Sequence, residues 1–101
     1  MVKHLVLFKL AEEAEGKSKK ENALIIQKSL EALKDSIGVI RKINVYINDA
    51  GASSDNYDVV LDSEFDSLSD MKIYAEHPDH LAAASYIVKV RIARAAIDYE
   101  Y

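Results

Sequence analysis

The stretch VKHLVLFKL, Val2 to Leu10, decides the fold that the sequence predicts. Its β-branched and aromatic residues are typical of a strand, and side chains alternate between the two faces of a strand. One face carries a histidine with apolar residues, namely His4, Val6 and Phe8. The other face carries two leucines between two lysines, namely Lys3, Leu5, Leu7 and Lys9. Because both faces carry apolar groups, we expect both to be covered in the folded protein.

An amphipathic helix is predicted after this strand. Ser18 stands three residues before Glu21, which is the spacing of a capping box. Apolar residues then recur at intervals of three and four, namely Ala23, Ile26, Leu30, Leu33 and Ile37. Gly38 is expected to end the helix in a left-handed turn.

Three further strands are predicted from runs of β-forming residues. They are VIRKINVYIN (39–48), YDVVLDSEF (57–65) and AAIDYEY (95–101). In the last of them, Ile97, Tyr99 and Tyr101 share one face. The stretch DAGASSDN between the second and third strands has the composition of a turn.

Pro78, the only proline, divides the remaining helical segment. A short helix capped by Asp66 or Ser67 cannot continue through Pro78, because the proline ring clashes with the preceding turn. Proline is favoured at the first position of a helix, so a second helix is predicted to begin there. His77 and His80 then lie on either side of the start of that helix.

The order strand, helix, strand, strand, helix, strand predicts an α+β fold with a ferredoxin-like split βαβ arrangement. Residues 1–101 form a single domain with a four-stranded antiparallel sheet. The helices cover one face of this sheet. A second copy of the chain is the simplest cover for the other face, so the sequence predicts a homodimer whose sheets pack face to face.

Composition excludes several classes of function. The formal net charge is −4 and the pI about 5.3, so nucleic acid is not an expected partner. The chain has no cysteine, which excludes disulfides, thiolate nucleophiles and cysteine-based zinc sites. There is no apolar run long enough to cross a bilayer and no signal peptide, so no membrane partner is expected and the predicted location is cytoplasmic.

Three segments resemble the stress-responsive dimeric α/β-barrel (Dabb) family. They are VKHLVLFKL, YDVVLDSEFDSLSDMKIYAEHPDH and AIDYEY, and the second contains an H-P-x-H element. The resemblance covers nearly the whole chain in the right order. It implies a ferredoxin-like subunit, a dimeric α/β barrel and no obligatory cofactor.

The resemblance also implies candidate site residues. Some family members are cyclases that fold linear polyketide chains by an aldol or Claisen-type condensation. In these cyclases the second histidine of H-P-x-H is the base, a tyrosine shortly before it assists, and a histidine of the first strand lies near the pocket. The matching residues are His80, Tyr74 and His4. The cyclases carry a further histidine in the third strand, where this chain has Val59.

The residues themselves leave the role of the histidines open. A histidine titrates near about 6.5 and can transfer protons at neutral pH, so His80 is a candidate base. Alternatively, His77 caps the second helix and His80 packs with a satisfied ring nitrogen. A metal site built on His77 and His80 is the third reading. This candidate site offers few metal ligands, and the chain has no cysteine, so we predict no bound metal.

Three functions are therefore compared. The first is a homodimer that binds a small apolar molecule in a pocket between helices and sheet, with polar contacts from His4, Tyr74, His77 and His80. The second is a cofactor-independent cyclase or lyase that uses His80 as general base, with Tyr74 and His4 as tentative catalytic partners. The third is a structural stress protein without a ligand.

Overall fold

A computed structural model describes residues 1–101. The elements follow the order β1 (Val2–Leu10), β2 (Glu13–Ala14), β3 (Lys17–Ser18), α1 (Lys19–Glu31), α2 (Leu33–Ser36), β4 (Lys42–Ile47), β5 (Val59–Phe65), α3 (Leu68–Glu76), α4 (Pro78–Val90) and β6 (Arg91–Glu100). No helix combines the length and the apolar character that crossing a bilayer requires.

The four long strands form one antiparallel sheet in the order β4-β5-β1-β6. β1 therefore lies inside the sheet, where Val6 is opposite Leu61 of β5 and Ala96 of β6. This is the ferredoxin-like arrangement, and the predicted fold class is confirmed.

Local signals correctly predict where α1, α3 and α4 begin. Ser18 and Glu21 form the complete capping box of α1, with each side chain accepting a hydrogen bond from the other residue's backbone N–H. Ser67 caps α3 by accepting from the backbone N–H of Asp70 at 3.1 Å. Pro78 occupies the first turn of α4, as predicted.

Several predicted boundaries are wrong. The single helix predicted up to Gly38 is divided into α1 and α2, and β5 begins at Val59 rather than residue 57. Gly38 does not adopt a left-handed conformation; the only positive φ angles belong to Glu15 and Gly16, which turn the small β2–β3 hairpin. β4 begins at Lys42 rather than residue 39. β6 begins at Arg91 rather than residue 95, because its pairing with β1 continues as far as Leu10.

The core lies between the helices and one side of the sheet. The largest enclosed side chains come from every layer, namely Val6, Leu10, Ile26, Leu30, Ile37, Phe65, Tyr74 and Val90. α1 also protects the edge strand β4, because Gln27 donates to the Val45 carbonyl and Glu31 accepts from the Val45 N–H.

The opposite side of the sheet carries no helix, and we call it the open face. Its apolar members are Leu5, Leu7, Tyr46, Val60, Ile97, Tyr99 and Tyr101. Ile97 and Tyr46 are 58% and 57% exposed, so apolar surface faces water in the single chain. Lys3 contacts Asp62 and Glu64 on this face, at 2.7 and 3.0 Å.

Candidate functional site

A cavity of about 240 Å³ lies between α4 and the helix-covered side of the sheet, and we call it the histidine cavity. Its apolar walls come mainly from β1, β5 and α4, namely Val6, Phe8, Leu30, Leu61, Ala84, Ile87 and Val88. Its polar lining consists of His4, His80, Arg91 and Arg94. The combination of apolar walls with a few polar groups is typical of small-molecule sites.

His4 projects from β1 and is oriented by β6. Its Nδ1 lies 2.5 Å from Oδ1 of Asp98, the residue directly opposite it in the sheet. A carboxylate only accepts hydrogen bonds, so Nδ1 carries the proton of this contact. Nε2 of His4 is therefore the ring nitrogen without a partner within the protein.

His80 lies in the first turn of α4 and contacts the end of α3. Its Nδ1 is 3.0 Å from the carbonyl oxygen of Ala75, which can only accept. The ring thus donates to a carbonyl in the last turn of α3, and its Nε2 keeps the lone pair. The break at Pro78 makes this contact possible, because a continuous helix would hold residues 75 and 80 in one ladder of backbone hydrogen bonds.

The electrostatic surroundings favour the neutral form of His80. Burial lowers the pKa of His80 below its ordinary value, and the Ala75 hydrogen bond opposes this shift in part. Smaller contributions from His4 and Arg94 also lower the pKa of His80. The ring is therefore a neutral base at pH 7.

Tyr74 lies behind the two histidines and does not line the cavity. Its ring centroid is 4.5 Å from that of His80, 5.0 Å from that of Phe65 and 6.2 Å from that of His4. The hydroxyl is enclosed without a hydrogen-bond partner, and burial raises the pKa of Tyr74 above its ordinary value. The phenol is consequently protonated and packs the two imidazole rings from behind.

The structure places His77 apart from the cavity. Its Nδ1 accepts from the backbone N–H of Asp79 at 3.1 Å, so the side chain caps α4. Of the four residues predicted to contact a ligand, His4 and His80 line the cavity, Tyr74 supports them, and His77 has this capping contact instead. The ligand contacts predicted for all four residues, and the catalytic roles predicted for His80, Tyr74 and His4, remain predictions.

Three polar residues of the site were not predicted from the sequence: Asp98, Arg91 and Arg94. A signal for Asp98 was present, because Ile97 and Tyr99 belong to the open face and the residue between them must point the other way. Arg91 was missed because β6 was predicted to start four residues later.

The chain has no group of three or more histidine, cysteine, aspartate or glutamate residues placed to hold a metal ion. A larger cavity of about 480 Å³ lies where β4 and β5 meet the loop between them. It contains no histidine, and its lining includes Tyr46, Asn56 and Asp58. A third cavity of about 430 Å³ is lined by acidic and basic side chains, among them Glu12, Lys19 and Asp58, and also contains no histidine. Histidines therefore line only the histidine cavity.

Comparison with protein families gives a match to the stress responsive A/B barrel domain over residues 2–101. The chain belongs to this family. The predicted membership in the Dabb family is thereby confirmed. The comparison with curated proteins found no match.

Solved structures place this Dabb domain among dimeric relatives. A dimeric protein of unknown function with a ferredoxin-like fold, from Bacteroides fragilis, is 39% identical; the alignment covers 99% of this chain and 95% of that chain, with a TM-score of 0.82. A dimeric ferredoxin-like protein of unknown function from Thermobifida fusca is 22% identical, with 99% and 90% covered and a TM-score of 0.82.

A hydroxynitrile lyase from Passiflora edulis also has this fold. It is 14% identical, with 97% of this chain and 90% of that chain covered and a TM-score of 0.76. At this identity the likeness concerns the fold alone.

The lowered pKa of His80 predicts a specific pH dependence. The folded protein binds fewer protons at His80 than the unfolded chain does, so this group's contribution to stability is present above about pH 6.5 and is lost as pH falls through the folded pKa. In a ¹H–¹³C NMR titration we expect the His80 ring signal, assigned by its absence in His80→Gln, to titrate below 6.5. A His80 titration midpoint above 6.5 would contradict the described environment.

Proposed function

We propose that this Dabb domain forms a homodimer and binds a small, largely apolar molecule in the histidine cavity. The observation that carries the proposal is the convergence of His4 and His80 on one apolar cavity. In each ring Nδ1 is engaged by the protein, so Nε2 is the nitrogen that remains for a ligand, and the neutral His80 ring can accept a hydrogen bond there.

The open face supports the homodimer. Its exposed members include Tyr46, Ile97, Tyr99 and Tyr101, and a second sheet would remove their apolar surface from water. Dimeric relatives of the same fold, one of them 39% identical, support the same assembly. The histidine cavity lies on the other side of the sheet, so dimerisation through the open face leaves it accessible.

A charge placed on the open face should dissociate the dimer. Ile97→Glu puts an unpaired carboxylate into the proposed interface, where its desolvation is unfavourable. We expect sedimentation velocity at micromolar concentration to show a dimer for the native chain and a monomer for Ile97→Glu. Leu81→Glu is the matched control, because Leu81 is 55% exposed on α4, outside the open face. A native chain that sediments as an 11.3 kDa monomer would refute the homodimer.

Filling the histidine cavity should prevent ligand binding. Ala84 lines the cavity and Ala82 is exposed on the same helix, so Ala84→Leu and Ala82→Leu form a matched pair. With benzyl alcohol as probe, we expect NMR shift changes centred on His4 and His80 in the native chain and in Ala82→Leu. Ala84→Leu should lose these changes. Shift changes that persist in Ala84→Leu would place the probe elsewhere, and their absence in the native chain would count against binding.

Cofactor-independent lyase chemistry is the second candidate, and the neutral, partly buried His80 ring is the observation that favours it. In this mechanism Nε2 of His80 takes the hydroxyl proton of a cyanohydrin. The bond between the carbinol carbon and the nitrile carbon then breaks, its electron pair leaves with cyanide, and His80 returns the proton to give hydrogen cyanide and an aldehyde. The same base could remove a proton beside a carbonyl in a cyclase-type condensation.

This candidate is tested with mandelonitrile, whose cleavage releases benzaldehyde that is followed by ultraviolet absorbance. Loss of a general base lowers turnover by about a hundredfold or more, and we expect that loss for His80→Ala. The control His77→Asn replaces a histidine outside the cavity with another residue that caps helices, so its turnover should stay near the native value. Equal turnover in His80→Ala and the native protein, after subtraction of the uncatalysed rate, would exclude His80 as the base.

A further inference from the structure

Two arginines line the histidine cavity without an acidic partner. The third arginine of the chain, Arg41, contacts Asp66 at 2.6 Å. Arg91 and Arg94 have no carboxylate within salt-bridge distance, although both belong to the cavity lining. Two unpaired guanidinium groups beside one cavity are unexpected in a chain whose formal net charge is −4.

The fold fixes where these arginines lie. Arg91 is the C-cap of α4 and the first residue of β6, so its position is set by two elements at once. Arg94 lies opposite Phe8 in the sheet, on the side of β6 that faces the helices. β6 is an edge strand, and most of its residues are exposed, so Arg94 lies where the cavity meets water.

The charge of the cavity lining has one sign. Its titratable members are His4, His80, Arg91 and Arg94, and no acidic side chain lines it. The nearest acid on this side of β6, Asp98, is hydrogen-bonded to His4. An anion in the cavity would therefore meet two arginine side chains and no lining carboxylate.

The volume of the cavity limits how much of a ligand it can enclose. A cavity of about 150 Å³ holds benzene, and the histidine cavity measures about 240 Å³. One six-membered ring with a short substituent therefore fits between the apolar walls. A planar carboxylate matches the donor fork of arginine, and its single charge costs less desolvation than a phosphate dianion.

We propose that the ligand of the histidine cavity is a monocarboxylate with a small apolar body, and that Arg94 and Arg91 bind its carboxylate. This inference rests on the proposed ligand-binding function and assigns it a substrate class. The apolar body lies against Val6, Phe8 and Leu61. The anionic group is held where the cavity opens beside β6.

The experiment compares benzoate with benzamide, which has the same shape and no charge. Affinities are measured by NMR titration at low ionic strength, because screening weakens an exposed ion pair. A charge-assisted contact predicts that the native protein binds benzoate about tenfold more tightly than benzamide. Adding salt should weaken benzoate binding and leave benzamide binding unchanged.

Three variants locate the charge. Arg94→Gln should reduce benzoate affinity about tenfold and leave benzamide affinity nearly unchanged. Arg91→Gln should also reduce benzoate affinity. Arg94→Lys keeps the charge but loses the donor fork, so its benzoate affinity should be intermediate. Lys89→Gln is the control, because Lys89 is an exposed cation on α4 outside the cavity lining. Melting temperatures confirm that each variant is folded.

The outcomes separate this inference from the proposed function. Equal affinities of the native protein for benzoate and benzamide would overturn the carboxylate assignment and leave the cavity as a neutral apolar site. Tighter binding of phenyl phosphate than of benzoate would overturn the choice of carboxylate. An Arg94→Gln variant that still prefers benzoate tenfold would remove Arg94 from the site. If none of these probes binds the native protein, the proposed ligand-binding function fails together with the inference.

Discussion

The structure depends on one constraint: β1 has apolar side chains on both faces and lies inside the sheet. Its Val6 and Phe8 pack under the helices and form part of the core. Its Leu5 and Leu7 point to the open face, which the helices of the same chain do not reach. Burying apolar surface is the main driving force of folding and association, so a sheet built around such a strand needs a cover on each side. The helices provide one cover, and a second protomer is the cover we propose for the other.

The break between α3 and α4 allows the His80 ring to line the histidine cavity. His77 ends one helix and caps the next, and this change of direction brings the His80 ring to the carbonyl of Ala75. His4 reaches the same cavity from the side of β1 that faces the helices. Asp98, opposite it in β6, holds its ring through Nδ1. In both rings a structural hydrogen bond engages Nδ1 and leaves Nε2 without a partner within the protein. The protonated Tyr74 fills the space behind them.

The sequence was sufficient for the fold because its signals are local. The capping box at Ser18, the proline at 78 and the alternation in β1 each act within a few residues. The site depends on contacts across the sheet, which local patterns do not encode. Asp98 became a partner of His4 only through the antiparallel register, and Arg91 entered the cavity because β6 begins directly where α4 ends. Gly38 shows that a local signal can also mislead. Glycine readily adopts a left-handed conformation, but Gly38 does not adopt one here.

β1 also links the two surfaces of the molecule. Odd-numbered side chains such as Leu5 belong to the open face, and the even-numbered His4 and Val6 line the histidine cavity. A second protomer on the open face would hold this strand from one side while a ligand contacts it from the other. The cavity lies on the helix-covered side of the sheet, away from the open face, so the proposed partner need not supply a side chain to the site.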